Sequence, residues 1–147
     1  MKTIEQKIIS AWTKSNALYT QAAAILGVSY PELMVLYALQ TMGPLTQKQI
    51  SESFALQKQT VNTVVKALVQ REVLKLAASQ TDKREKILLL TEKGTAYAQK
   101  IVLPLLKAEG RISQSIGAEK LQVMCDVYEL FNLLLEKELH EGLKYEP

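Results

Sequence analysis

The 147-residue chain holds one cysteine, Cys125, and one histidine, His140. A single thiol closes no disulfide within a chain, and this pair assembles neither a cysteine-rich zinc site nor a histidine cluster. Cys125 reads as a small buried hydrophobe and His140 as a solvated helix-end residue. No metal and no cofactor is expected. The sequence carries no glycine-rich phosphate loop and no nucleophile set beside a base, which speaks against an enzyme. Six glycines and four prolines are too few for a loop-rich fold. No apolar run approaches the roughly 20 residues that span a bilayer. The first residues lack the basic-then-apolar order of a secretion signal. The expectation is a soluble, cytoplasmic protein.

What is present is ordinary globular composition, 48% hydrophobic and 22% charged, in a length that suits a single domain over residues 1–147. The net charge of +3 is modest but unevenly placed: residues 1–56 carry +1, residues 57–93 carry +4 and residues 94–147 carry −2. Positive charge gathered in the middle third is the footprint of a surface that faces a polyanion.

Periodicity divides the chain. Ile4, Ile8, Trp12, Tyr19, Ala22 and Leu26 fall on one stripe at helical spacing, and Gly27 ends that helix. Ser29-Tyr30-Pro31-Glu32 reads as a capping box that opens a second helix, which stops near Gly43-Pro44. Thr46-Gln47-Lys48-Gln49 opens a short third helix with Ile50 and Phe54 inward. A fourth begins near Gln57 or Lys58 and turns Val61, Val64, Val65 and Leu68 inward. The period then falls to two. Leu74, Leu76 and Ala78 alternate in one strand, Leu88 and Leu90 in a second, and the polar stretch "SQTDKRE" joins them as a hairpin. Thr91 can cap the next helix, which contains Pro104; Gly110 and Gly117 frame a break before a last helix from about Ala118 to Glu141. The fold expected is mainly α with a small β wing: a winged helix-turn-helix over residues 30–93, flanked by helical dimerisation regions at 1–28 and 94–147.

Two surfaces carry chemistry. On the fourth helix Lys58, Asn62 and Lys66 are four residues apart, with Gln57, Gln59 and Thr63 beside them. Cations, amides and hydroxyls are the groups that bond both phosphates and base edges, and a helix so decorated suits the major groove. A solvated polar face would read the same way. At the hairpin stand Asp82, Lys83, Arg84 and Lys86. An arginine there suits a narrow minor groove, and Asp82 can pair with it and hold its direction.

These residues also carry a resemblance. The segment "DKREKILLLTEKG" resembles the wing signature of the multiple-antibiotic-resistance regulator (MarR) family of transcription factors: Asp-x-Arg, three residues, an aliphatic, any residue, Leu-Thr, two residues, Gly. Asp82, Arg84, Leu88, Leu90, Thr91 and Gly94 supply it. Upstream, "LTQKQISESFALQKQTVNTVVKALVQREVL" is similar to the family's helix-turn-helix, and helix order and length match over nearly the whole chain. The resemblance implies a dimeric winged-helix repressor or activator, often released from DNA by small aromatic or phenolic ligands. The chain departs from the pattern at Gln57 and Gln59, where the family commonly has small hydroxyl residues, and in lacking a glycine before Val73-Leu74. The family's peroxide-sensing branch places its cysteine near the N-terminus, where this chain has none.

The last helix points to a dimer independently. Leu121, Met124, Tyr128, Phe131 and Leu135 repeat at 3-4-3-4 spacing, and Val123, Val127, Leu130 and Leu134 form a second stripe. One stripe can pack on the chain's own first or fifth helix and the other on a second copy, with Ile4 and Ile8 joining the interface. Trp12, Tyr19, Tyr30, Met34 and Tyr37 are candidates for a ligand pocket, although aromatic and Met residues at helical spacing more often form plain core. The expected function is a homodimeric, sequence-specific regulator of double-stranded DNA, acting as a repressor on a pseudo-palindromic operator and released by a small aromatic effector. The competing reading is a winged-helix protein-interaction module. Such a module has no need for Lys58, Lys66, Lys83, Arg84 and Lys86 together.

Overall fold

The computed structural model describes residues 1–144 and 146–147. In chain order its elements are α1 (Ile4–Ile25), α2 (Tyr30–Met42), β1 (Leu45–Thr46), α3 (Gln47–Ser53), α4 (Lys58–Gln70), β2 (Leu74–Ala78), β3 (Lys86–Leu90), α5 (Glu92–Ile116) and α6 (Ala118–Glu141). They fall into two compact units, Met1–Leu105 and Leu106–Pro147, with α5 running from the first into the second.

The first unit is built around α2. Leu33, Leu36, Val61, Leu68, Leu88 and Val102 are each fully buried there. Each such leucine contributes roughly 1.5–3 kcal/mol by leaving water. The helix starts are set by side-chain oxygens that satisfy first-turn N–H groups. Thr46 and Gln49 form a complete capping box at α3. At α2 only half of the expected box exists. Ser29 Oγ accepts from the Glu32 backbone N–H at 3.2 Å, whereas the Glu32 carboxylate turns toward Arg71 and Tyr97.

The sheet has three strands in the order β1-β3-β2, all antiparallel. The sequence reading contains only the hairpin of β2 and β3. The added strand, Leu45–Thr46, is two residues long and too short to show a period. Leu74 pairs with Leu90 and Leu76 with Leu88, so the expected alternation is present. Of β2, however, only Leu74 is buried, because the outer half of the hairpin projects past the core. Glu72 precedes it with φ 60°, the left-handed conformation that costs a non-glycine residue roughly 1 kcal/mol. This is the position where a glycine was missed in the sequence.

The second unit consists of the remainder of α5 together with α6. Helix α5 passes through Gly110 without a break, and the chain turns only at Gly117, where φ is 97°. No residue of α6 is buried. Leu121 of the first stripe is half-buried and the other stripe residues are exposed, so neither stripe is buried within the chain, contrary to the expectation that one packs on the chain's own helices. Cys125 is likewise exposed rather than a buried hydrophobe, because it lies on that uncovered helix.

Candidate nucleic-acid interface

Helix α4 has the strongest division of faces in the first unit. Val61, Val65 and Leu68 are buried and Val64 is half-buried, while Gln57, Lys58, Gln59, Thr63 and Lys66 are exposed and Asn62 is half-buried. Thr63 Oγ1 donates to the Gln59 carbonyl at 3.0 Å, holding the middle of the polar face together. Gln57 stands at the N-cap without making a side-chain cap bond. The turn from α3 into α4 is closed by the buried Ser51, whose hydroxyl donates to the Leu56 carbonyl, and by Ala55 in the left-handed region.

The hairpin tip is held by polar groups rather than by packing. Ser79, 8% exposed, offers its hydroxyl oxygen to the backbone N–H groups of Thr81 and Asp82, each at 3.3 Å. Asp82 Oδ1 accepts from the backbone N–H of Arg84 at 2.9 Å. The acid therefore orders Arg84 through its main chain. It makes no ion pair with the guanidinium, contrary to the pairing expected from the sequence. Lys83, Arg84 and Lys86 remain exposed. The ion pairs Arg71–Glu32 and Lys137–Glu141 involve none of these cations. Lys58, Lys66, Lys83, Arg84 and Lys86 thus face solvent without an acid within 4.0 Å.

Behind the hairpin, Thr91 does more than cap α5. Its Oγ1 accepts from the Gly94 N–H at 2.8 Å and donates to the Glu72 carbonyl at 2.6 Å, while its own N–H donates to the Val73 carbonyl at 3.1 Å. Gly94 is pressed so closely on this crossing that a Cβ would lie 1.8 Å from the Val73 oxygen. The Leu-Thr-x-x-Gly of the motif is a joint, not a contact surface.

The C-terminal end of α4 is tied to two other helices. Arg71 Nη1 donates to Glu32 Oε1 at 3.2 Å, and the Tyr97 hydroxyl donates to the same oxygen at 2.8 Å. The Arg71 guanidinium also lies 5.0 Å from the centroid of the Tyr97 ring. Burial pushes the Tyr97 phenol above its ordinary pKa; the hydrogen bond to Arg71 opposes this, and that to Glu32 adds to it. The phenol therefore stays a donor through neutral pH. This cluster is not foreseen from the sequence, where Glu32 reads as a capping-box residue and neither Arg71 nor Tyr97 stands out. The one signal in the sequence is the acid at the third helical position, which suits either role.

The ligand-pocket candidates are dispersed in exposure. Met34 is buried and Tyr37 packs edge-on against Phe54 with centroids 6.1 Å apart, whereas Trp12 is exposed. Two open clefts, one lined by Lys2, Glu5, Gln6, Ile9 and Ser10 and one at the α5–α6 turn, include none of the five.

A helix-turn-helix with an amphipathic second helix, joined to a hairpin with a cationic tip, defines a winged helix-turn-helix DNA-binding protein. Residues 26–85 match the model of the MarR family. A helix-turn-helix transcriptional regulator of Staphylococcus aureus strain Mu50 is 30% identical over 119 residues, 77% of this chain and 79% of that protein. The chain belongs to the MarR family of DNA-binding transcriptional regulators, and that family membership places it outside the enzymes. The transcriptional repressor NicR of Pseudomonas putida is 27% identical over 63% of this chain and 58% of its own. The fold is that of NMB1585, a MarR family regulator from Neisseria meningitidis, with a TM-score of 0.87 at 24% identity over 97% of this chain and all of that one. It is also that of a Staphylococcus aureus MarR solved with salicylate and kanamycin, at a TM-score of 0.63 and 24% identity over 90% and 89%. No single helix among the described residues is long and apolar enough to cross a membrane.

Proposed function

We propose that the protein is a homodimeric repressor that reads a pseudo-palindromic operator, with residues 30–93 on DNA and residues 1–28 and 94–147 joining the copies. The observation that carries the DNA reading is the set of unpaired cations on two exposed surfaces: Lys58 and Lys66 on α4, and Lys83, Arg84 and Lys86 on the wing. Gln57, Gln59, Asn62 and Thr63 stand between the α4 cations and supply the amide and hydroxyl groups that distinguish base edges. The dimer reading is supported by the uncovered α6, whose Met124, Tyr128, Phe131 and Leu135 are 39–49% exposed. An apolar surface of that extent on one chain marks an association site. Repression is supported by likeness to NicR, and release by a small aromatic effector by likeness to the salicylate-bound regulator.

A salt titration of binding to duplex DNA tests the carrying observation. If half of the ten cations of a dimer meet phosphates, log K falls with log salt at a slope of about −4 to −5. A flat salt dependence would instead indicate a winged helix used for protein contacts. Footprinting on the fragments retained best should then find half-sites about 10 bp apart, one helical turn. A single unrepeated site would remove the two-fold reading.

A further inference from the structure

Three side chains from three helical segments meet on one carboxylate oxygen, Glu32 Oε1: Tyr97 of α5 at 2.8 Å, Arg71 at the C-cap of α4 at 3.2 Å, and Glu32 itself from the first turn of α2. We propose that this clasp sets the tilt of the recognition helix on DNA, with Glu32 and Tyr97 acting through Arg71 as positioning residues for base readout. The inference rests on the DNA-reading function proposed above and adds to it the residues that aim the helix.

Four observations support it. Helix α4 is attached to the core through Val61, Val65 and Leu68, whose apolar packing is non-directional. Its N-cap, Gln57, makes no side-chain cap bond, and the polar contacts nearest that end, between Ser51 and Leu56, hold the turn before the helix rather than the helix itself. Its other end has several: the guanidinium is paired with Glu32 and stacked on Tyr97, and the Arg71 carbonyl accepts from Lys93 Nζ at 3.2 Å. Glu32 also forgoes the return bond to the α2 N-cap that its position in Ser-x-x-Glu would allow. Hydrogen bonds are directional to within a few tenths of an ångström. Thirteen helical residues extend about 20 Å, so a tilt of about 5° at the clasp moves the base-reading end by nearly 2 Å. That is enough to break a bidentate base contact. Phosphate contacts by long lysines tolerate such a shift, since a flexible stem reaches over it.

The test separates these two kinds of contact. The probes are the duplex that the wild-type full-length protein retains best from a random library, and a scrambled duplex of equal length. Tyr97→Phe removes one hydroxyl and Glu32→Gln removes the charge, and far-UV melts confirm that each variant is folded at the assay temperature. Each variant should bind the selected duplex about tenfold more weakly, comparable to one misread base pair. Scrambled-duplex affinity and the salt slope should stay as in wild type, and the double variant should lose little more than either single one. Equal loss on both duplexes, or no loss on either, would overturn the clasp. A slope lowered by about one in Arg71→Gln would mean that Arg71 meets a phosphate itself, and would also overturn it. Should Glu32→Gln fail to fold, Tyr97→Phe alone carries the decision. A wild type without preference between the duplexes would instead sink the sequence-reading function on which the clasp depends.

Discussion

Asp82 sits among cations at the wing tip, and its carboxylate is engaged by the main chain of Arg84 rather than by its side chain. The acid thus shapes the turn that presents the arginine, while the guanidinium stays available. Arg84→Ala should weaken binding to every duplex and lower the salt slope by about one. The loss should be largest where flanking A-tracts narrow the minor groove. Asp82→Ala should also weaken binding, although it makes the protein more positive, because the tip must then be ordered at the moment of docking. Counting charges gives the opposite sign. Fluorescence anisotropy on one labelled duplex decides between them, and tighter binding by Asp82→Ala would mean that the acid does nothing for the arginine. The identities of these residues were legible in the sequence, but the manner of their interaction was not. Ser79 illustrates why: a serine followed by Gln-Thr-Asp looks like any polar turn, and only burial makes its oxygen the acceptor around which the tip closes.

At the level of elements, periodicity and caps were enough to locate each helix and both hairpin strands, because each signal lies within one turn or one pleat. Three features escaped for the same reason. Strand β1 has two residues and no period of its own; its place is defined by Leu88 and Ile87 across the sheet. Gly110 weakens a helix but does not end one, so α5 continues to Ile116. The clasp joins residues 39 and 65 positions apart, a separation at which no local pattern operates. Its tyrosine also makes a prediction about pH. The folded pKa of Tyr97 is raised above the ordinary 10.0. Its contribution to stability is therefore fully present below about pH 10 and is lost as pH rises through the folded value. Denaturant midpoints measured between pH 9 and 11 should fall more for wild type than for Tyr97→Phe. Parallel curves would mean that the phenol titrates alike in both states.

For the whole molecule, the decisive feature is the uncovered last helix. Two stripes on one helix were visible in the sequence, but which surface covers them could not be read from a pattern that says only "apolar". In the single chain nothing buries them. Because Phe131 and Leu135 are already 39% and 47% exposed, glutamate at both costs the isolated chain little, yet it would place unpaired charges in the proposed subunit interface. Phe131→Glu with Leu135→Glu should sediment as a monomer, or unfold where folding depends on pairing, and should lose operator binding. A double variant that still sediments as a folded dimer would remove this interface.

Gly94 has a consequence for how variants of this protein would be interpreted. The Val73 carbonyl oxygen occupies the space that any side chain at position 94 would enter, and overpacking of this kind costs about 1–3 kcal/mol or more. In a saturation screen scored by reporter repression, position 94 would thus register as intolerant to all nineteen alternatives, as sharply as any residue at the DNA surface. Such a screen alone would assign it to the operator contact set. Paired measurement of cellular protein level would separate the two: variants at 94 would be lost with their protein, whereas those at Arg84 would persist in full amount and fail only at the promoter.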